Sequence, residues 1–303
     1  MTSRKLLPLT GIAVWAAVIL TSSPRALPHR HSPIFLVLAD EERGASDACQ
    51  DLHMHFDHHD AVYQSEERSI PRSEVTTLRV KAHENGGLRV HGWEQDAYGV
   101  TLCKAAEEGN DAQKMFSQIH LNYQAGELSV SGPESNEHWA AFLLIRAPKN
   151  AALELEAHNG PLSVKGVDGK VKVHAINGPI TISDCTGEMD VEAQNGPLTL
   201  DGNGGKLSAR AENGPLTVSL NMPGWNGSGM EAHVDNGPLT LHVPTGYTSG
   251  VLLESNGSGP FSCASKACSE GRKTWEDDRK SIAFGSGPTV VRVSAVNGPI
   301  SVH

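Results

Sequence analysis

The sequence predicts an all-β protein, a single-chain parallel β-helix or β-solenoid with coils of about 18 residues, preceded by a signal peptide or an N-terminal anchor helix. Two observations support this prediction. The tripeptide Asn-Gly-Pro occurs six times, and its first four copies are spaced by 18 residues. On both sides of each copy, apolar residues alternate with polar ones, as is typical of strands that bury one face.

Each repeat consists of two short strands joined by a turn. Asn and Gly tolerate positive φ, and Pro is allowed at the first position of a strand because it fixes φ and has no N–H to donate. Positions six, four and two before each Asn are apolar, and so are positions three and five after it. The predicted turn residues are Asn159, Gly160, Pro161, Asn177, Gly178, Pro179, Asn195, Gly196, Pro197, Asn213, Gly214, Pro215, Asn236, Gly237, Pro238, Asn297, Gly298 and Pro299.

A series of Asn-Gly β-hairpins is the competing interpretation, because Asn-Gly is the strongest hairpin signal. The constant period favours stacked coils, since equal coils place each residue type above its own copy. Stacked Asn side chains can then form hydrogen bonds along the stack. The outward positions agree with stacking, because Glu154, Lys172 and Asp190 alternate in charge and like charges in register would repel.

The regions around the array are less regular. Residues 78–93 repeat the pattern with one extra residue before Asn85, so the solenoid domain is predicted to cover residues 75–303. Residues 100–148 contain strand-like runs without the period, and irregular coils or a cap are expected there. Residues 259–287 are predicted to be an insertion before a last coil that ends at Val302.

These motifs resemble the bacterial "putative adhesin" family of β-strand-repeat proteins, an autotransporter-adhesin-like domain of unknown function. The resemblance is carried by residues 85–93, by the Asn-Gly-Pro-Leu-Thr-Val units and by residues 285–302, and it covers roughly residues 75–302. It implies an exported, solenoidal and adhesin-like protein. It implies no catalytic residues.

Residues 1–26 are predicted to be a signal peptide or a membrane anchor, with a cleavage site as late as residue 39 as an alternative. Arg4 and Lys5 precede an apolar run over residues 6–20, which is short for a membrane span. The expected localisation is the periplasm or the cell surface. Membrane contact is expected only through this N-terminal segment.

Five cysteines in an exported chain allow at most two disulfides. Cys263 and Cys268 lie close together within the insertion and are the favoured pair. A bond between Cys49 and Cys103 is a second pairing, which the sequence alone does not decide. Cys185 would then be a free thiol, and a packed structural residue is a better interpretation of it than a nucleophile with a low pKa.

Residues 27–74 are predicted to be a polar, His-rich leader. Imidazole and carboxylate groups are suitable ligands for zinc, nickel or copper, which makes a transition-metal site one hypothesis. The alternative is a polar segment in which His serves as any other polar residue, because no spacing such as His-Glu-x-x-His is present. No other cofactor is expected. The metal-ligand candidates are His53, His55, His58 and His59.

Charge and composition limit the classes of function. The formal net charge of −10 leaves no basic surface for nucleic acid. The outward columns mix both signs of charge and lack aromatic platforms, so we expect a non-enzymatic cell-envelope protein that presents a solenoid as an adhesion or scaffolding surface. The alternatives are a polysaccharide-binding or polysaccharide-cleaving β-helix and a His-rich periplasmic metal binder. The expected partner is an envelope or surface ligand, protein or polysaccharide, bound by residues 223–229 and 259–287 because loops carry recognition.

Overall fold

Strands of alternating burial make up most of the chain. The computed structural model describes residues 34–38, 48–49, 52–56, 60–109, 111–134, 138–257, 259–276 and 279–303, with the side chains of residues 34–38, His53 and His55 excepted. The described residues form an all-β protein with two large mixed sheets, here called sheet I and sheet II.

Sheet I has twelve strands among the described residues, and their spatial order differs from their order in the sequence. From one edge to the other, the strands are β22 (Arg272–Trp275), β23 (Lys280–Phe284), β20 (Gly250–Ser255), β24 (Thr289–Asn297), β18 (Asn226–Asn236), β16 (Gly204–Asn213), β14 (Glu188–Asn195), β12 (Lys170–Asn177), β10 (Leu153–Ala157), β4 (Leu78–Lys81), β8 (Glu127–Ser131) and β7 (His120–Gln124).

Sheet II has eleven strands in the described part of the chain. In spatial order they are β21 (Phe261–Cys263), β25 (Ile300–Val302), β19 (Leu239–His242), β17 (Leu216–Leu220), β15 (Leu198–Gly202), β13 (Ile180–Ser183), β11 (Leu162–Lys165), β5 (Leu88–Trp93), β9 (Trp139–Pro148), β6 (Ala97–Glu107) and β3 (Ala61–Pro71). The remaining elements are an antiparallel pair, β1 (Ile34–Leu38) with β2 (Leu52–Phe56), the helices α1 (Ala112–Gln118) and α2 (Lys266–Ser269), and a 3₁₀ turn (Arg72–Glu74).

The repeats place one strand in each sheet, and successive repeats pair in parallel. In sheet I, Val173 is opposite Val191, and in sheet II, Ile182 is opposite Leu200, so both partners are 18 residues apart. The apolar residues of both sheets face each other and form one continuous buried cluster. Each buried aliphatic side chain contributes about 1.5 to 3 kcal/mol relative to exposure, which makes this aliphatic core the main source of stability.

The Asn-Gly turns of successive repeats lie very close to one another. Gly196 has a φ of +146°, and a Cβ atom added there would lie 2.4 Å from the carbonyl oxygen of Gly178 in the preceding repeat. Gly214 stands in the same relation to Gly196, at 2.2 Å. Glycine is therefore required both by its backbone conformation and by the contact between turns.

The sheets are not purely parallel, which corrects the expectation of a parallel β-helix throughout. At one end, β6 pairs antiparallel with β9 on one side and with β3 on the other, and β7 forms an antiparallel pair with β8. At the other end, β20, β23 and β22 are antiparallel. The antiparallel pairs occur where the 18-residue period is lost, because equal coils are what impose parallel pairing.

The order of the repeats at both ends also differs from the expectation. The final repeat, β24 and β25, was expected to end the array, but it lies between β18 with β19 on one side and β20 with β21 on the other. At the opposite end, β4 and β5 lie between β10 with β11 and β8 with β9. At each end, the repeat therefore pairs on both sides with strands that are distant from it in the sequence.

A second buried cluster covers the outer face of sheet II at its β9 and β6 end. Leu52, Met54 and Phe56 of β2 pack there against Phe142, Leu144 and other residues of the sheet. Strand β3 also lies within the residues assigned to the leader and pairs with β6 along its whole length. The segment 27–74 is thus partly integrated into the fold, because its apolar residues alternate with the histidines.

We expect Gly196→Ala to lower the free energy of unfolding by about 2 kcal/mol or more, since the methyl group must displace a backbone carbonyl. Gly109→Ala is the matched control, because nothing lies within 4 Å of a Cβ at that position. It should change stability by no more than about 0.5 kcal/mol. Urea denaturation followed by circular dichroism measures both, and equal effects would contradict the proposed turn constraint.

The interior position of the last repeat predicts that Ile300→Ala is as costly as Ile180→Ala. Both side chains are fully buried, and a large-to-small change in a packed core costs about 2 to 5 kcal/mol. Thermal and urea unfolding of the two variants provide the comparison. A markedly milder effect at Ile300 would indicate a frayed terminal strand instead of an interior one.

Candidate functional site

The outer face of sheet I carries charged side chains that pair across neighbouring strands. Lys206 lies 3.1 Å from Glu188, which Lys170 approaches at 3.5 Å from the other side. The hydrogen bond from Lys206 is the main reason that the pKa of Glu188 is lowered, and the charge of Lys170 adds to it. His174 is 3.4 Å from Glu192 in the neighbouring strand. These exposed pairs set register more than they add stability.

A shallow concavity of ≈ 360 Å³ lies on this face, across β10, β12 and β14. It is open to solvent, and its charged lining consists of the ladder residues themselves. Acids and bases alternate from strand to strand there, so each carboxylate of β10 and β14 lies opposite a basic residue of β12. The charged lining residues are Glu154, Glu156, Lys172, His174, Asp190 and Glu192.

A hydrogen-bonded network crosses β16, β18 and β24 on the same face. His233 Nδ1 lies 2.8 Å from Ser294 Oγ, and its Nε2 lies 3.0 Å from Asp235 Oδ1. Arg210 donates to the other carboxylate oxygen of Asp235 at 2.6 Å. A hydroxyl, an imidazole and a carboxylate are the groups of a serine hydrolase, but acyl transfer also requires donors for an oxyanion. At Ser294, strand β24 is paired with a neighbouring strand on each side. The backbone N–H groups there therefore form hydrogen bonds within the sheet and are not free to bind an oxyanion.

The outer face of sheet II is different, because hydroxyl groups replace charges. One Ser or Thr per repeat stands between two buried aliphatic residues, and the column includes Ser163, Thr181, Thr199, Thr217, Thr240 and Ser301. At the corresponding position of the β5 repeat, Arg89 replaces the hydroxyl residue. This departure from the pattern is visible in the sequence, although the burial of Arg89 is not.

The predicted turn residues form a continuous ladder of amides. Asn195 Nδ2 donates to Asn177 Oδ1 at 3.1 Å, and Asn213 Nδ2 donates to Asn195 Oδ1 at 3.2 Å. The ladder extends through Asn159 to Asn85 at one end and to Asn297 at the other. Each Asn side chain within it uses one donor and one acceptor, so the ladder is a structural element with little free capacity for a ligand.

The insertion, residues 259–287, carries the one large aromatic side chain that is exposed among the described residues. Trp275 in the edge strand β22 is 53% exposed, and its ring lies 5.5 Å from that of Phe261. All four residues of β22 are exposed, and two of them, Arg272 and Lys273, are basic. Cys263 and Cys268 form a disulfide within the same segment. An aromatic ring beside basic groups on a stapled loop is a suitable recognition surface.

The other predicted binding loop, residues 223–229, is packed more tightly than expected of a recognition loop. Trp225 is buried, and its indole N–H donates to the carbonyl oxygen of Gly205 at 3.1 Å. Its backbone N–H donates to Ser249 Oγ at 2.9 Å. Met222, immediately before the loop, is 52% exposed. Trp225 therefore anchors this loop to strand β16 of the preceding repeat and to the residue before β20.

Cys49 and Cys103 form the second disulfide, at the edge of the second buried cluster. Cys185 is a free, buried thiol that donates to the carbonyl oxygen of Ser183 at 3.2 Å. Burial raises the pKa of Cys185 to about 11. A thiol of this kind is unreactive at neutral pH, which agrees with a structural role.

The predicted metal ligands are only partly within the described residues. His53 and His55 belong to strand β2, whereas His58 and His59 lie outside the described residues. Among the residues that the structure describes, no group of three or more His, Cys, Asp or Glu side chains is placed to hold a metal ion. The metal hypothesis therefore stays a prediction about the leader.

No family model matches the sequence, and no curated protein matches it as a relative. Several solved structures show a distant similarity to the chain. A "putative cell adhesion protein" from Clostridium sporogenes is 13% identical, with a TM-score of 0.35 over 80% of this chain and 99% of its own. A "putative adhesin" from Parabacteroides merdae is 12% identical, with a TM-score of 0.32 over 80% of this chain and 96% of its own.

A third similar structure is a "putative lipid binding protein" from Parabacteroides distasonis, which is 11% identical, with a TM-score of 0.33 over 80% of this chain and 96% of its own. The descriptions as adhesins agree with the resemblance seen in the sequence motifs. At TM-scores of this size, the likeness supports no statement about what this chain binds. In the part of the chain that is described, neither helix is long and apolar enough to cross a membrane.

The raised pKa of Cys185 predicts slow modification and a specific pH dependence. Ionisation near 9.0 in the unfolded chain and near 11 in the folded protein leaves about a hundredfold less thiolate at pH 8, so native Cys185 should react with a disulfide reagent at least that much more slowly than in urea. The pKa of Cys185 is higher in the folded protein than in the unfolded chain. The stability that this difference contributes is therefore complete below pH 9 and is lost as the pH rises towards 11.

The Cys185→Ala variant serves as the control for both measurements. Its unfolding midpoint should depend less on pH than that of the wild type between pH 9 and 11. Rapid modification of Cys185 under native conditions would show an accessible, reactive thiol and contradict the structural role.

Proposed function

We propose that this chain is an exported, non-enzymatic cell-envelope protein whose stacked repeats form a β-solenoid that supports an adhesion or scaffolding surface at one end. The observation that carries the proposal is the exposed Trp275 on the disulfide-stapled insertion. We refer to residues 250–287, which include this insertion, as the C-terminal cap.

The solenoid part of the proposal is supported by the way each repeat places one strand in sheet I and one in sheet II, with parallel partners at a fixed offset. A stack of this kind buries a continuous core, and each repeat contacts only its neighbours. Its rigidity suits a protein that holds a binding surface away from its point of attachment.

The non-enzymatic part is supported by the use of the outward polar groups. Several acidic and basic side chains of sheet I pair across neighbouring strands, and Asp235, the strongest candidate for an orienting acid, also pairs with Arg210. Functional sites instead tend to contain groups with strongly shifted pKa values in a cleft. Glu188 has its pKa lowered, but it lies on the exposed face of the sheet between two lysines and not in a cleft.

The recognition part is supported by the composition of the cap. Tryptophan and arginine are enriched in binding hot spots, and a ring that is already held in place loses little conformational entropy on binding. Arg272 and Lys273 lie in the same exposed strand as Trp275. A polysaccharide is the ligand class that an exposed indole surface favours as a stacking platform, and an envelope protein is the alternative.

Cell fractionation tests the exported location. The protein is expected in the envelope fraction, and protease added to intact cells should remove it if it is displayed at the surface. Recovery from the cytoplasm would contradict the whole proposal. Protection from protease in intact cells, together with release from the periplasm, would restrict the function to scaffolding within the envelope.

We expect Trp275→Ala to weaken polysaccharide binding by about tenfold or more, because removal of a hot-spot aromatic side chain costs about 2 kcal/mol. Affinity electrophoresis against a panel of envelope and plant polysaccharides is the measurement. Met222→Ala removes a side chain of similar exposure outside the cap and is the matched control. Equal retardation of the wild type and both variants would contradict a binding role of the cap.

A further inference from the structure

Arg89 is a buried cation for which the described residues provide no counter-ion. It lies in β5 between Leu88 and Val90, which point into the main core, so its side chain is on the opposite face of sheet II. Only 4% of Arg89 is exposed, and its Nε is buried with no hydrogen-bond partner in the described part of the chain. A guanidinium group loses its hydration on burial, and only an anion or good acceptors compensate for that loss.

Lys104, the other buried cation among the described residues, has a counter-ion. It is 7% exposed, and its ammonium group lies 2.8 Å from a carboxylate oxygen of Glu66. These two residues are the buried cations among the described side chains, and only Lys104 has such a partner. The difference indicates that Arg89 is placed to meet an anionic group from elsewhere.

The neighbours of Arg89 define where such a group would lie. Leu144 is opposite Arg89 in β9 and belongs to the second buried cluster, whereas Ser163 is opposite it in β11. Ser163 is 3% exposed, and the next residue in the hydroxyl column, Thr181, is only half-buried. Arg89 and Ser163 therefore lie side by side at the point where the covered face of sheet II ends and its open face begins.

We infer that Arg89 and Ser163 form a binding site for a single anionic group, a carboxylate or a phosphate- or sulfate-type oxyanion, at the end of the hydroxyl column. The guanidinium fork donates to two oxygens of such a group, and the hydroxyl of Ser163 donates to a third or shares one. Lys165 in the same strand as Ser163 adds positive charge at the open side, although it also lies 3.8 Å from Asp184. The remainder of a larger ligand would extend along the hydroxyl column.

This inference does not depend on the binding role proposed for the cap. The two sites lie at different ends of the stack and involve different chemistry. A failure of the Trp275→Ala prediction would leave the anion site unaffected, and the reverse also holds.

The test uses the thermal unfolding of the full chain in chloride buffer, with phosphate, sulfate or acetate added at constant ionic strength. At an anion concentration ten times the dissociation constant, we expect the midpoint to rise by about 3 °C, and above that concentration the rise should follow the logarithm of the anion concentration. Comparison of acetate with phosphate and sulfate separates a carboxylate site from an oxyanion site. If none of the three anions raises the midpoint, the inference is wrong.

Arg89→Met should abolish the anion-dependent rise, and Arg292→Met, which removes an exposed arginine from sheet I, should retain it. In chloride alone, Arg89→Met should unfold at the same temperature as the wild type or higher, because it removes an uncompensated buried charge. A fall of several degrees in chloride would reveal an intramolecular carboxylate partner and overturn the inference.

Ser163→Ala is a milder variant that tests the same site if Arg89→Met does not fold. Loss of one hydrogen bond to a charged group should weaken phosphate, sulfate or acetate binding by about tenfold, as measured by isothermal titration calorimetry. Thr217→Ala, three strands further along the column, should bind with wild-type affinity. Equal affinity in the wild type and Ser163→Ala would contradict the assigned position of the anion.

Discussion

The stacking of the repeats depends on the contact between successive Asn-Gly turns. Each turn glycine lies so close to the carbonyl group of the preceding turn that a single methyl group would not fit, as at Gly178, Gly196 and Gly214. This contact fixes the register of neighbouring repeats to the residue, because a slip by one position would place a side chain in the gap. The Asn ladder, the aliphatic layers and the paired charges of sheet I all follow from that one register.

The same constraint explains the ends of the stack. A repeat can join the stack at any point if it has a glycine turn and alternating apolar residues. The repeats beside it in space need not be its neighbours in the sequence. Strands β24 and β25 satisfy this condition and therefore fit between β18 with β19 and β20 with β21. The outermost strand of sheet I, β22, is short, exposed and basic, which discourages edge-to-edge association.

The sequence predicted the strands, their buried faces and the turn chemistry, because these depend on local residue patterns. It did not predict the spatial order of the repeats, since Val291 and Val293 carry the same pattern as any interior repeat and their partners are chosen by contacts distant in sequence. It also assigned Leu52, Met54 and Phe56 to a polar leader, because histidines stand between them. The replacement of a hydroxyl residue by Arg89 was visible, but the cover that buries it involves residues more than thirty positions away.

The side chains that say most about function are those whose charge or apolar surface is not matched by contacts with neighbouring repeats. The charges of sheet I and the Asn ladder satisfy one another, so they contribute little affinity for an outside molecule. Arg89 and Trp275 are exceptions of opposite kinds, a buried charge without a partner among the described residues and an exposed ring. From β5 to β21, which contains the residue that touches Trp275, sheet II advances by seven strands. At about 4.8 Å per strand, this places the two features about 34 Å apart along the stack, so only a long polymer could contact both.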